Sequence, residues 1–150
     1  MNIPAILPVL VLAVFALAGA WTDIRSRTIP NLLVLATALA GLAFPAIAGD
    51  WNAVLMHLAH FGVALLIGLG LFAAKFWGGG DGKFYAAVAA WFPINDFFLL
   101  MFAISAVGLF LVLGVIARNG GKMFARGAAS VPYGVAIGLG ALLKLGWTVL

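Results

Sequence analysis

The sequence predicts an all-α integral membrane protein, a bundle of six transmembrane helices in one polytopic domain that covers residues 1–150. Apolar residues make up 66% of the chain and charged residues only 8%, whereas soluble domains contain about 25% charged residues. This composition leaves too little polar surface to cover a globule in water. The apolar residues also fall into six runs, most of them near the roughly 20 residues that a helix needs to cross a bilayer.

The six runs follow one another with short polar loops between them. We expect the first run to be a retained span rather than a signal peptide, because no basic segment precedes it. The fourth run is short and follows a glycine-rich stretch, which makes it the least typical span. The predicted spans cover residues 3–21, 32–48, 54–74, 84–93, 97–117 and 131–150.

The basic residues predict the orientation of this bundle. Seven of the eight lysines and arginines lie in alternate loops, and the loops between them carry Asp50 and Asp96 but no basic residue. The positive-inside rule places the basic loops in the cytoplasm and both termini outside. We therefore attribute the positive charge to orientation among membrane lipids, not to nucleic acid, and we expect Lys144 in the sixth run to extend outward. The loop residues are Arg25, Arg27, Lys75, Lys83, Arg118, Lys122 and Arg126.

The composition excludes several kinds of catalytic site. Since the chain has no cysteine, it contains no disulfide, thiol nucleophile or cysteine-ligated metal site. All four acidic residues are aspartates, and there is no glutamate. His57 and His60 have a spacing that places two imidazoles on one helix face, but no third ligand is apparent. We therefore expect neither a metal nor another cofactor.

Asp23 and Asp81 are the candidates for chemistry. Asp23 ends the first run and Asp81 opens the fourth, so both are predicted at the cytoplasmic surface. In one reading they are loop carboxylates that balance neighbouring cations. In the other they converge and share a proton, so that the ionised member takes a proton from water while the protonated member polarises a peptide carbonyl. Such a pair hydrolyses peptides without a metal, thiol or serine.

The glycine-rich stretch at residues 78–83 does not match the common phosphate-binding motifs. A P-loop would require glycine at position 77 and serine or threonine at 84, where Trp77 and Phe84 stand. The dinucleotide pattern fails because Lys83 occupies the position of its last glycine. The glycines either allow close approach of a substrate to the backbone or form a flexible loop.

Three segments together resemble the type IV prepilin peptidases, a family of membrane-embedded aspartic proteases. Residues 78–83 resemble the GxGDxK signature of that family, and residues 23–31 resemble its block of an aspartate, basic residues and Ile-Pro-Asn. Residues 131–134 resemble the Pro-Tyr-Gly segment that starts its last span. The segments occur in the family's order and extend over essentially the whole chain.

The resemblance implies a six-helix bundle of the GxGD aspartyl protease type in the bacterial inner membrane, with its active site toward the cytoplasm. It implies that Asp23 and Asp81 are the catalytic pair and that prepilins or pseudopilins with short basic leaders are the substrates. Longer members carry paired Cys-x-x-Cys motifs and a methyltransferase activity. Since this chain lacks cysteine and begins directly with a span, it resembles the short Flp-type, tight-adherence form. The supporting or substrate-contacting residues would be Gly78, Gly80, Lys83, Pro132, Tyr133 and Gly134.

Several of these residues have a second reading. Lys83 has three possible roles: it would lower the pKa of Asp81, anchor a substrate carbonyl, or serve only as a positive charge that sets the topology. Arg25 and Arg27 are interpreted as topological and lipid-headgroup contacts, and Tyr133 as a hydrogen-bonding partner near the pair or an interfacial residue. The glycines at 134 and 138 predict close packing of the last span against a neighbour, or a homo-oligomer face.

Two alternatives remain open. Within enzymes, a related protease would act on other membrane helices, such as archaeal preflagellins. From a different class, a non-enzymatic membrane subunit or a small ion- or proton-coupled transporter would use the same aspartates. A peptidase loses all activity when either aspartate becomes asparagine, whereas a transporter aspartate tunes transport.

Overall fold

The computed structural model of the protein describes residues 3–119 and 131–149. Within these residues the chain forms six α-helices and one 3-10 turn and has no strand, which confirms the prediction of an all-α fold. Two residues of the predicted basic loops, Lys122 and Arg126, lie outside the described residues. The helices are α1 (Ile3–Ser26), α2 (Asn31–Ile47), α3 (Trp51–Ala73), α4 (Gly79–Ala89), α5 (Phe97–Arg118) and α6 (Tyr133–Val149), and the 3-10 turn is Ile94–Asp96.

Three stretches of the described chain are long and apolar enough to cross a membrane: Ile6–Ser26, Trp51–Ala73 and Ile94–Arg118. The helices α2 and α6 are shorter but also apolar. The helix α4 has 11 residues and is shifted toward the N-terminus relative to the predicted fourth span at residues 84–93. At about 16 Å it is shorter than the hydrocarbon core of about 30 Å, so it does not cross a bilayer alone.

The short helix α4 forms the centre of the bundle. Each residue from Phe84 to Ala90 is 0% exposed, so the middle and end of α4 are fully buried. The helix α3 packs along α4, and α2 and α6 pack against other parts of it. Around this centre the other helices follow the order α5, α6, α1, α2 and α3, and each packs against the next. Burial by its neighbours therefore stabilises a helix too short to span the membrane by itself.

The helices α3 and α4 cross at direct backbone contact. A Cβ atom on Gly68 would lie 2.7 Å from the carbonyl oxygen of Gly82, and one on Gly82 would lie 2.9 Å from the carbonyl oxygen of Gly68. No side chain fits at either position. The loop reading of the glycine-rich stretch is wrong, since its residues from Gly79 onward form the first turns of α4. Close packing compensates for the low helix propensity of glycine.

Two helices end near Asp23 and Asp81 at residues with a left-handed backbone. Arg27 follows α1 with φ 54°, and its N–H donates to the carbonyl oxygen of Asp23 at 3.0 Å. Lys75 follows α3 with φ 62°, and its N–H donates to the carbonyl oxygen of Phe72 at 2.9 Å. Both turns satisfy carbonyl groups that a helix end leaves without a partner.

A buried ion pair joins α6 to the 3-10 turn at the opposite end of the bundle. The Nζ atom of Lys144 bonds to Oδ2 of Asp96 and lies 4.3 Å from the centre of the Phe92 ring. Lys144 is 2% exposed, so its charge lies inside the protein. Lys144 therefore extends toward the end of the bundle that carries Asp96, where its ammonium group is buried in an ion pair and not exposed at the surface.

The two histidines of α3 pack against the chain that follows α4. The Nδ1 atoms of His57 and His60 lie 3.0 Å from the carbonyl oxygens of Ala90 and Phe92, respectively. In the part of the chain that the structure describes, no three histidine or acidic side chains come together as a metal site would require. The imidazoles instead link α3 to the end of α4.

Candidate active site

Asp23 lies in the last turns of α1, where its side chain meets the first turn of α6. It is 5% exposed, and its Oδ2 atom accepts a hydrogen bond of 2.7 Å from the N–H of Gly134. A Cβ atom at position 134 would lie 2.8 Å from Cβ of Asp23 and 2.9 Å from its Oδ2 atom. Glycine is therefore needed for this approach. The N-terminal N–H groups of a helix stabilise negative charge, so the contact suits a carboxylate.

Asp81 lies in the first turn of α4, and its side chain folds back over the start of that helix. Its Oδ2 atom accepts a hydrogen bond of 3.1 Å from the N–H of Gly78. Its own N–H donates to the carbonyl oxygen of Gly78, also at 3.1 Å. Asp81 thus caps α4, and these two hydrogen bonds fix the direction of its carboxyl group. Each aspartate is therefore held by a backbone N–H at the start of a helix.

Asp23 and Asp81 face one cleft, here called the aspartate cleft, at the end of the bundle where α4 and α6 begin. The cleft has two lobes of about 330 and 350 Å³, and both aspartates line both lobes. The first lobe extends toward Asn31, and the second toward Phe76 and Tyr133. The fold thus brings together the two carboxyl groups that the sequence analysis singled out.

The carboxyl group of Asp81 holds its proton more tightly than an ordinary aspartate does. Burial raises its pKa most, and the charge of Asp23 raises it further, to about 6 in total. The N–H of Gly78 and the charge of Arg27 act in the opposite direction. Asp81 precedes the apolar part of α4 and lies outside the three membrane-long stretches. Near pH 6 it is therefore half protonated, whereas a solvated aspartate with a pKa of about 3.9 is ionised.

Three of the predicted supporting residues, Gly78, Gly80 and Lys83, line the first lobe of the aspartate cleft. The Nζ atom of Lys83 donates to Oδ1 of Asn31 at 3.4 Å, which links the start of α4 to the start of α2. In the sequence, Asn31 is noticeable only as part of the Ile-Pro-Asn motif. The structure adds it to the cleft, since Asn31 is the first residue of α2 and lines the first lobe.

The other predicted supporting residues belong to the start of α6. Tyr133 lines the second lobe, and its ring centre lies 5.7 Å from that of Trp77. The carbonyl oxygen of Pro132 accepts a hydrogen bond of 3.1 Å from the N–H of Val135, which closes the first turn of the helix. These contacts position Gly134 against Asp23.

Arg27 is a residue of the cleft that the sequence analysis had assigned to topology. It lines both lobes, and its positive charge lowers the pKa of Asp81. Lys83, one candidate for that electrostatic role, contacts Asn31 instead. Arg27 follows Asp23 by four residues, and the turn that ends α1 holds the two residues close, because the N–H of Arg27 donates to the carbonyl oxygen of Asp23. This spacing is the sequence signal that would have pointed to Arg27.

Comparison with models of known protein families matches residues 10–113 to the type IV leader peptidase family. The match includes Asp23, Asp81 and the glycine-rich stretch between Trp77 and Phe84. Comparison with the curated proteins and with the solved structures finds no match.

Proposed function

Because the chain belongs to the type IV leader peptidase family, we propose that it is a membrane-embedded aspartic endopeptidase that cleaves the short basic leader from type IV, Flp-type prepilins or pseudopilins. The chain is an integral membrane protein and a protease by its family and its apolar helices. The observation that carries the proposal is the aspartate cleft, in which carboxyl groups from two helices face the same space.

In the proposed mechanism Asp23 acts as the base and Asp81 as the acid. The contact of Asp23 with the N-terminus of α6 suits a carboxylate, and the raised pKa of Asp81 suits a proton donor. Asp23 takes a proton from water as the water oxygen bonds to the scissile carbonyl carbon. Asp81 gives its proton to the carbonyl oxygen. The proton on Asp23 then passes to the leaving nitrogen as the C–N bond breaks, and one hydroxyl group of the intermediate returns a proton to Asp81 as its C=O bond re-forms. The products are a carboxylic acid and an amine, and both aspartates regain their starting protonation states.

The proposed orientation in the bacterial inner membrane places the aspartate cleft at the cytoplasmic face. Arg25, Arg27, Lys75 and Lys83 all lie where helices begin or end near the cleft, whereas Asp50 begins α3 at the other end. The positive-inside rule favours this arrangement. A leader that stays in the cytoplasm beside an apolar helix would then present its junction at the depth of the two carboxyl groups.

The proposed activity is tested by incubating the purified chain in liposomes with a prepilin that carries a basic leader and an apolar helix. We expect one cut, at the junction of leader and helix, identified from the product masses. The control is a matched prepilin in which the apolar segment is extended by two helical turns into the leader. Its junction then lies within the hydrocarbon, so we expect it to be cut poorly. Failure to cut any leader-bearing prepilin would contradict the proposal and favour the membrane-subunit or transporter alternative.

Replacing Gly134 with alanine is expected to lower the cleavage rate by about 100-fold, since displacement of a catalytic group by about 1 Å has effects of this size. The added Cβ atom would lie 2.9 Å from Oδ2 of Asp23 and would push the carboxylate away. The matched control is Gly146→Ala on the same helix, where a Cβ atom meets nothing within 4 Å. Initial rates at equal protein levels provide the measurement, and equal rates in the two variants would contradict this role of Gly134.

A further inference from the structure

The helices around α4 leave one side of the bundle open. In the order α5, α6, α1, α2 and α3, the terminal members α3 and α5 do not pack along each other in the described residues. The 3-10 turn contacts both of them at the end where α5 begins, so the gap is closed there. Among residues 3–119 and 131–149 it is open toward the aspartate cleft. An occupant can therefore enter sideways from the bilayer in the half of the bundle that contains the two aspartates.

The open side contains an apolar groove of about 370 Å³, here called the α5 groove. Leu71 at the end of α3 and Trp77 form one wall, and Met101 and Val112 of α5 form the other. Apart from the hydroxyl groups of Ser105 and Tyr133, the groove is lined mainly by apolar groups. Exposed apolar side chains are ordinary on a surface that faces lipid, so it is the concave shape that distinguishes this place.

The α5 groove is continuous with the aspartate cleft. Tyr133 lines both the groove and the second lobe of the cleft, and Trp77 packs on Tyr133 at the junction. From Met101 to Val112 the groove follows α5 for about 16 Å, which is about half the thickness of the hydrocarbon core. A chain in extended form in the second lobe could thus continue directly into the groove as an apolar helix.

We propose that the α5 groove holds the apolar helix of the substrate that follows the scissile bond, an inference that rests on the proposed peptidase function. The substrate helix leaves the aspartate cleft and runs toward the opposite end of the bundle, antiparallel to α5. Ser105 precedes Val112 by seven residues, so it lies about 10 Å deeper in the groove. With the scissile bond at the level of Val112, a substrate residue about seven positions after that bond reaches the depth of Ser105.

A second apolar cleft of about 160 Å³ lies on another side of α4, lined by Leu69, Phe72 and Lys83 among others. It has less than half the volume of the α5 groove. Its position by the first lobe of the aspartate cleft makes it the competing site for the substrate helix. The two sites predict contacts on different helices, which an experiment can distinguish.

Because the chain has no cysteine, cross-linking of single introduced cysteines tests the inference directly. The inactive Asp23→Asn chain carrying Ser105→Cys is oxidised in liposomes with a prepilin that has one cysteine about seven residues after the junction. The first control is Phe110→Cys, which is 74% exposed and lies about 140° around the axis of α5 from Ser105. The second is Leu69→Cys in the competing cleft. We expect at least about ten times more cross-link with Ser105→Cys than with either control.

A kinetic comparison provides an independent readout in the active chain. Ser105→Trp should fill the groove and raise KM at least about tenfold with a smaller change in kcat, whereas Phe110→Trp, which faces away from the groove, should leave both near the wild-type values. Equal cross-linking at Ser105→Cys and Phe110→Cys, or stronger cross-linking at Leu69→Cys, would overturn the assignment of the groove. Cleavage by the wild-type chain is measured in parallel, so that loss of the groove assignment alone is distinguished from failure of the peptidase function.

Discussion

Cleavage of the leader is expected to fall by at least about 1000-fold in each of the variants Asp23→Asn and Asp81→Asn. Asparagine keeps the size of each side chain but neither accepts a proton from water nor donates an acidic one. Because the two carboxyl groups act on the same water and carbonyl, the double variant should be little worse than either single variant. Single-turnover cleavage at saturating enzyme measures the effect on the chemical step.

The matched control for these variants is Asp50→Asn at the opposite end of the bundle. Oδ1 of Asp50 accepts a hydrogen bond of 2.9 Å from the N–H of Ala53, which caps α3. Asparagine caps helices about as well as aspartate, so this change should preserve both folding and cleavage. Substantial cleavage by either cleft variant, with normal membrane levels, would contradict the paired-aspartate mechanism.

Breaking the buried ion pair between Lys144 and Asp96 is expected to have the largest effect on stability. The side chain of Lys144 is 3% exposed and that of Asp96 is 28% exposed. Asp96→Asn therefore leaves a buried ammonium group without its carboxylate, at a cost of about 3 kcal/mol in the free energy of unfolding. Lys144→Met leaves behind an aspartate that is partly exposed at the end of the bundle, so it should destabilise the protein less.

The informative result is which of these two variants loses more free energy of unfolding. Unfolding in detergent micelles measures this difference. The double variant, in which neither charge remains, should regain much of the stability lost in Asp96→Asn. If both single variants lost the same stability, or if the double variant recovered none of it, the claim that Lys144 is more deeply buried than Asp96 would be contradicted. Because the pair lies far from the aspartate cleft, the folded fraction of each variant should still cleave the leader.

The sequence was sufficient to predict the helical class and to single out the two aspartates that line one cleft. Regular apolar runs and the alternation of basic loops are local signals, and so is the motif around Asp81. The exact extent of α4 was not predictable in the same way. A run such as Gly79-Gly80 has low helix propensity, and α4 forms there because neighbouring helices enclose it and Gly68 and Gly82 permit backbone contact.

The partners of the predicted residues also depended on tertiary structure. The hydrogen bond from Gly134 to Asp23 joins residues 111 positions apart, and no local pattern specifies which glycine faces which carboxylate. The burial of Lys144 was not predictable because its partner, Asp96, lies 48 positions away. The role of Arg27 is a different case, since its spacing from Asp23 is local and was interpreted only in terms of orientation.

The most direct test of the paired aspartates is a titration of the Asp81 carboxyl group by infrared spectroscopy, with Asp81→Asn used to assign its signal. We expect a pKa of about 6 in the wild-type chain. In Asp23→Asn the value should fall but stay above that of a solvated aspartate, because the charge of Asp23 is removed and the burial remains. In the wild-type chain kcat/KM should decrease as the pH rises through about 6, because Asp81 loses there the proton that it donates as the acid. A carboxyl group that titrates like a solvated aspartate, or whose pKa does not respond to Asp23→Asn, would contradict the coupled pair.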